Sequence, residues 1–142
     1  AFYHAFNGPG WINNTYWLDD SVSYCSWYGV VCDEFNVSTT KLDLGNNGLT
    51  GKLGQKITEL MAGLPKLETL DLKGNDIKGT IPDEIRFLSR LSKLDLSRQK
   101  QGLVGKIPKG ISQIVHLSVL NLGGNKLDKE IPSAISNLEE LK

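Results

Sequence analysis

The chain has 142 residues, and its 16 basic and 16 acidic side chains leave a formal net charge of zero. That balance supplies no long-range field to attract nucleic acid or an anionic membrane, and the length suits one domain. No apolar run approaches the ~18 residues of a membrane span, and no charged-then-apolar leader opens the chain.

Ten of the eleven aromatic residues fall in the first 35 positions, so the amino-terminal part packs differently from the rest. Phe2, Tyr3 and Phe6 have helical spacing. Asn7-Gly8-Pro9-Gly10 should end that helix, because glycine accepts a left-handed cap and proline cannot continue the helix. Asn13-Asn14-Thr15 and Asn36-Val37-Ser38 are possible N-glycosylation acceptors at Asn13 and Asn36. Cys25 and Cys32 are the only cysteines, and with two distant histidines they make a poor metal-ligand set. His4 and His116 have no neighbouring nucleophile, acid or second histidine in the sequence to make either a base or a ligand.

From about Thr39 the chain repeats. Leu42, Leu44, Asn47, Leu49, Gly51 and Leu53 set a framework that returns as Leu70, Leu72, Asn75, Ile77, Gly79 and Ile81-Pro82. It returns again from Leu91 and from Leu117, and self-similarity at this period signals a solenoid. Leu53 to Leu67 spans 14 positions where Ile81 to Leu91 spans 10. The excess is about one helical turn of 3.6 residues, and Ile57, Leu60, Met61 and Leu64 at i, i+3, i+4 and i+7 predict a helix ending before Pro65. Leu96 to Ile107 spans 11 positions where the matching distance elsewhere is nine. Gln99 or Gln101 then falls in the asparagine slot, and the hydrogen-bonding column of asparagines should be interrupted there. Ser97 to Gly102 should bulge as a polar, basic loop. Lys129 stands where the other repeats carry glycine, which predicts a local backbone change after Leu127.

This framework resembles the leucine-rich repeat family, and Gly-x-Ile-Pro after the asparagine turn resembles its plant-type subclass. Cys25-Ser-Trp27-Tyr-Gly29-Val30-Val31-Cys32 is similar to the family's amino-terminal cap motif. The resemblance implies an α/β fold: a right-handed solenoid with a parallel sheet on its concave face and a helical or irregular convex face. Residues 1–36 would be an aromatic cap closed by a Cys25–Cys32 disulfide, and residues 37–142 about four repeats, the last incomplete or uncapped. A bridge over that loop would stabilise the cap by roughly 2–3 kcal/mol. A disulfide implies an oxidising compartment, outside the cell or in a secretory lumen.

Side chains between the framework leucines should form a grid on the concave sheet. One column is Asp43, Asp71, Asp95 and Asn121; another is Lys41, Thr69, Lys93 and Val119. Aspartates on neighbouring strands lie ~5 Å apart, close enough for metal bridging, but Lys41 and Lys93 lie near enough to neutralise them. No cofactor, metal or catalytic set is implied. The resemblance implies a non-enzymatic module that recognises a protein or peptide. Its contacts would be Lys41, Asp43, Asp71, Lys73, Lys93, Asp95 and Arg98, with Gln99, Lys100 and Gln101 as a lateral loop. Two alternatives remain: a structural subunit docked through its last repeat in a larger assembly, and an inhibitor of a secreted hydrolase.

Overall fold

The computed structural model describes residues 2–54, 57, 63–128 and 130–142. Helix α1 (Phe2–Ala5) opens the cap, followed by a 3₁₀ turn at Gly8–Gly10. Asn7, at φ 58°, takes the left-handed position that ends α1, where glycine was expected. Asparagine tolerates that conformation because its short side chain bonds locally. Strands β1 (Val30–Cys32), β2 (Thr39–Asp43), β4 (Thr69–Asp71), β6 (Lys93–Asp95) and β8 (Val119–Asn121) form one sheet in the order β1-β2-β4-β6-β8. β1 is antiparallel to β2, and every later pair is parallel. The turn beyond each strand adds short strands β3 (Thr50–Lys52), β5 (Asp76–Lys78), β7 (Val104–Gly105) and β9 (Lys126–Leu127), which pair β3 with β5 and β7 with β9. The return segments carry 3₁₀ turns at Asp83–Phe87, Lys109–Gln113 and Ser133–Asn137.

The register places Leu42, Leu70, Leu94 and Leu120 opposite one another, with Lys41, Thr69, Lys93 and Val119 in the adjoining row. The framework leucines and isoleucines from Leu42 to Leu117 fill one continuous core. Burial weakens at the far end: Leu120, Leu122, Leu127, Ile135 and Leu141 are half-buried and Ile131 is 65% exposed. Ile57 is buried, while Leu60 and Met61 of the expected convex helix lie outside the described residues, as does Lys129.

The cap is built on edge-to-face and tilted aromatic contacts. The Trp11 and Trp17 ring centroids are 4.9 Å apart, those of Trp17 and Trp27 5.0 Å, and those of Phe2 and Phe6 4.8 Å. The Trp11 indole donates to the Phe6 carbonyl at 2.8 Å, and that of Trp17 to the Tyr28 carbonyl at 2.9 Å. A Cys25–Cys32 disulfide closes the segment between them. Gly29 has φ 79°, and a Cβ there would lie 2.2 Å from the Asp43 carbonyl oxygen. Only glycine lets the cap approach β2 so closely, with the Asp43 N–H donating to the Gly29 carbonyl at 2.7 Å. Asp33 ties the cap to the first repeat: its carboxylate accepts from the Val37 and Ser38 N–H groups and faces the Lys66 ammonium at 3.4 Å. The Val37 N–H, foremost among these, holds the carboxyl below the usual aspartate range.

Contrary to the expected interruption, the amide column runs unbroken through the third repeat. Asn75 Oδ1 accepts from the N–H groups of Asn47 and Leu49, and its amide donates to the carbonyls of Leu44 and Leu72. Gln99 does the same one repeat on: its Oε1 accepts from Ile77 N–H at 3.1 Å, and its Nε2 donates to the Leu72 carbonyl at 2.8 Å. Asn125 follows, accepting from Leu103 N–H and donating to the carbonyls of Leu96 and Leu122. The extra methylene of glutamine reaches the same partners, so the insertion falls after the column, at Lys100 to Gly102. Ser97 and Gln99 are buried, and the bulge is confined to exposed Lys100 and Gln101 with the turn at Gly102.

Gln99→Leu should therefore destabilise the fold by about 2–4 kcal/mol, because the Ile77 N–H and Leu72 carbonyl lose a buried partner. Lys100→Leu should shift the urea midpoint little. Equal midpoints for the two variants would refute a structural role for the amide column.

Candidate functional site

The concave sheet presents three positions per repeat. In the aspartate column each side chain turns back on its own strand end: Asp43, Asp71 and Asp95 accept from the N–H two residues on, at 3.5, 3.2 and 3.0 Å. Asn121 does the same with Gly123. Asp71 and Asp95 are only 2% and 6% exposed, so they lie beneath the surface rather than on it. Asp95 also accepts from the Ser97 hydroxyl and the Asn121 amide. Among the described residues no three His, Cys, Asp or Glu side chains converge into a metal-ligand group.

The lysines lie over these carboxylates. The Lys93 ammonium is 3.0 Å from Asp71 across the strand gap, Lys73 is 3.9 Å from the same oxygen, and Lys41 is 3.2 Å from Asp43. The hydrogen bond to Asp71 raises the Lys93 pKa above the ordinary lysine value against the desolvation that lowers it, with Asp71, Asp95 and Asp43 adding their charge. The sheet thus brings together Lys41 with Asp43, and Lys73 and Lys93 with Asp71. Gln99 is drawn into the core, and Gln101 reaches Asp76 at 3.4 Å. Arg98 and Lys100 are exposed, and among the described residues neither is within ion-pair distance of a carboxylate.

Sequence reasoning missed a cleft of about 610 Å³ between the cap and the first repeat, lined by Phe2, Tyr3, Trp17, Tyr24, Trp27 and Leu42 among others. The crowding of aromatics ahead of Phe35 was its only signal. Nothing in the spacing showed that the rings would leave a gap. A shallower polar depression sits at the sheet's other margin, between Glu68, Arg90, Ser92 and His116. There the His116 Nδ1 lies 3.2 Å from Glu140.

A parallel sheet repeated at fixed register over an amide column, with a disulfide-closed cap, defines a leucine-rich repeat solenoid. The family descriptions "Leucine rich repeat" and "Leucine Rich Repeat" match residues 37–100 and 116–138, and the chain belongs to this family. It is 38% identical over 104 residues to Phytosulfokine receptor 1 of Arabidopsis thaliana, an alignment covering 72% of the chain and 9% of that receptor. The chain thus spans about a tenth of the length of this relative. Among solved structures, the BIR3–SERK2 complex from Arabidopsis thaliana aligns over 97% of this chain and 74% of that one, with 32% identity and a TM-score of 0.77. The BIR2 ectodomain from the same plant aligns over 99% and 72%, with 28% identity and a TM-score of 0.87.

Because the folded-state pKa of Lys93 is raised, its contribution to stability is complete below the unfolded value of about 10.4 and lost as pH rises through the folded value. Lys93→Met should be less stable than the parent at pH 8, with the difference shrinking above about pH 10.4. Chemical denaturation of both proteins across pH 8–12 measures that gap, and a constant gap would exclude the Lys93–Asp71 pair as its source.

Proposed function

We propose that this chain is a non-enzymatic recognition module, exposed outside the cell or in a secretory lumen, that holds a protein or peptide on its concave sheet. The observation that carries this reading is the sheet itself. Lys41 on β2, Lys93 on β6 and Lys73 just beyond β4 lie beside Asp43 and Asp71, and those carboxylates also accept hydrogen bonds from their own strand ends. Such a face has the shape for docking an extended partner and lacks the enclosed, water-excluding geometry that shifts a carboxylate toward general acid–base work. The relatives agree in kind: one is a receptor by name, and another was solved as a complex of two proteins. The Cys25–Cys32 bridge suits an oxidising compartment. In that setting Asn36, which is exposed, and Asn13, which is half-buried, are the positions offered for N-glycosylation.

A second reading has its own observation. Ile131 and Val119 are 65% and 41% exposed and Leu120 and Leu122 are half-buried, an apolar surface suited to cover by a further repeat or by another chain of a larger assembly.

Cross-linking with mass spectrometry on protein from its native source separates the two. Links from Lys41, Lys73 and Lys93 to a separable protein are the expected result. Links concentrated at Lys126 and Lys142, in a complex of fixed stoichiometry, would replace recognition with structural docking.

A further inference from the structure

One position on the concave rim is strained without structural need. The residue just ahead of the column amide is left-handed in every repeat: Asn46 at φ 53°, Gly74 at 67°, Arg98 at 56° and Gly124 at 70°. Glycine and asparagine are the ordinary occupants of that conformation, because a Cβ crowds the following carbonyl. The amide column requires the left-handed turn but not an arginine, since asparagine and glycine serve in the other three repeats. A residue kept against its backbone preference points to a use for its side chain.

The surroundings of Arg98 leave its charge open to a partner. Its side chain is exposed, and among the described residues no carboxylate lies within ion-pair distance. Both neighbours in its row are glycines, so nothing screens it from either side. A Cβ on Gly124 would come within 3.3 Å of the Arg98 Cα and Cγ, so the side chain starts out across bare backbone. The Arg98 N–H donates to the Gly123 carbonyl at 2.8 Å, which fixes the base of the side chain on the next strand end. Exposed Lys73 and Lys100 belong to the same rim, and Asp71 and Asp95, the nearest acids in the column, are buried and already bonded. Lys73 shares Asp71 with Lys93, whereas among the described residues Arg98 and Lys100 have no carboxylate within ion-pair distance.

We infer that Arg98 anchors a carboxylate side chain of an acidic peptide laid across the ends of the concave strands, with Lys73 and Lys100 flanking it. A guanidinium matches a carboxylate through two parallel N–H bonds, which a lysine cannot do, and this accounts for arginine at a strained position. The inference rests on the peptide-recognition reading above and names the chemistry of its ligand.

The test is to pan a random peptide library on the immobilised 142-residue chain and on its Arg98→Asn variant, with fluorescein-labelled hexaglutamate as a direct probe. Asparagine occupies the same slot at Asn46, so Arg98→Asn should fold with an unchanged or higher Tm. The parent should enrich peptides rich in Asp and Glu, and Arg98→Asn should lose that enrichment and weaken hexaglutamate about tenfold. Lys109→Asn, on the convex side, should bind as the parent does. Enrichment of peptides without acidic residues would overturn the Arg98 assignment and leave peptide recognition standing. No enrichment above blank would overturn the recognition reading itself. Equal losses in Lys109→Asn, or tighter binding of a de-esterified oligogalacturonide than of hexaglutamate, would refute an acidic peptide as the ligand.

Discussion

Each repeat turns the chain inward at the end of its strand, and that turn buries backbone N–H and carbonyl groups that no neighbouring strand can satisfy. The side-chain amides of Asn47, Asn75, Gln99 and Asn125 resolve the conflict, because an amide donates and accepts at once. Each links its own turn to the preceding one: Asn75 bonds the carbonyls of both Leu44 and Leu72, and Gln99 bonds those of both Leu72 and Leu96. The spacing between repeats, the parallel register of the sheet and the left-handed residue ahead of each amide all follow from this column. At the amino-terminal end the column recruits the cap. Asn47 accepts from the Asn13 N–H at 2.7 Å and donates to the Asn13 carbonyl at 2.8 Å, so the cap supplies the turn that the first repeat lacks.

The same regularity shapes the electrostatics of the concave face. The aspartate of each Leu-Asp-Leu looks like a ligand-binding carboxylate when read as a column, yet its first partner is the backbone N–H two residues on. With Asp71 and Asp95 committed to their strand ends, and lysines lying over Asp43 and Asp71, most of the face is neutralised from within. Exposed pairs of this kind contribute little to stability, while a carboxylate buried at 2% exposure requires its partners. Among the described residues Arg98 and Lys100 stay outside these pairs, which is the charge the proposed ligand would meet.

Much of this was legible because a solenoid writes its three-dimensional neighbours into its sequence period. Opposed residues such as Leu70 and Leu94, or Asp71 and Asp95, could be paired from spacing alone, and the structure pairs them. The third repeat was misread for a physical reason. Counting slots assumes that the column accepts only asparagine, whereas what it requires is a primary amide at the right reach, and Gln99 supplies one with its side chain extended by a methylene. The burial of Asp71 and Asp95 was hidden for a related reason: strand alternation marks them as outward-facing, but each folds back onto the N–H two residues on, Asp71 lies under Lys93, and Asp95 is bonded by Ser97 and Asn121. The cleft behind Trp17 and Trp27 could not be read at all, because aromatic packing outside the repeats has no period to count.

Solenoid energetics are nearly one-dimensional, so the two ends decide how the stack behaves. At the amino-terminal end β1 runs antiparallel to β2, covering the edge of the sheet, while the aromatic cluster and Gly29 bring the cap into direct contact with the first repeat. Leu42, Leu44 and Leu49 of the first repeat are therefore fully buried. Among the described residues β8 pairs with β6, Leu117 and Leu138 are buried, and Ile131 between them is 65% exposed. The turn at Arg98 is tied to the repeats on both sides: its N–H donates to the Gly123 carbonyl, and the adjoining Gln99 amide donates to the Leu72 carbonyl. The anchoring role proposed for Arg98 rests on that fixed backbone.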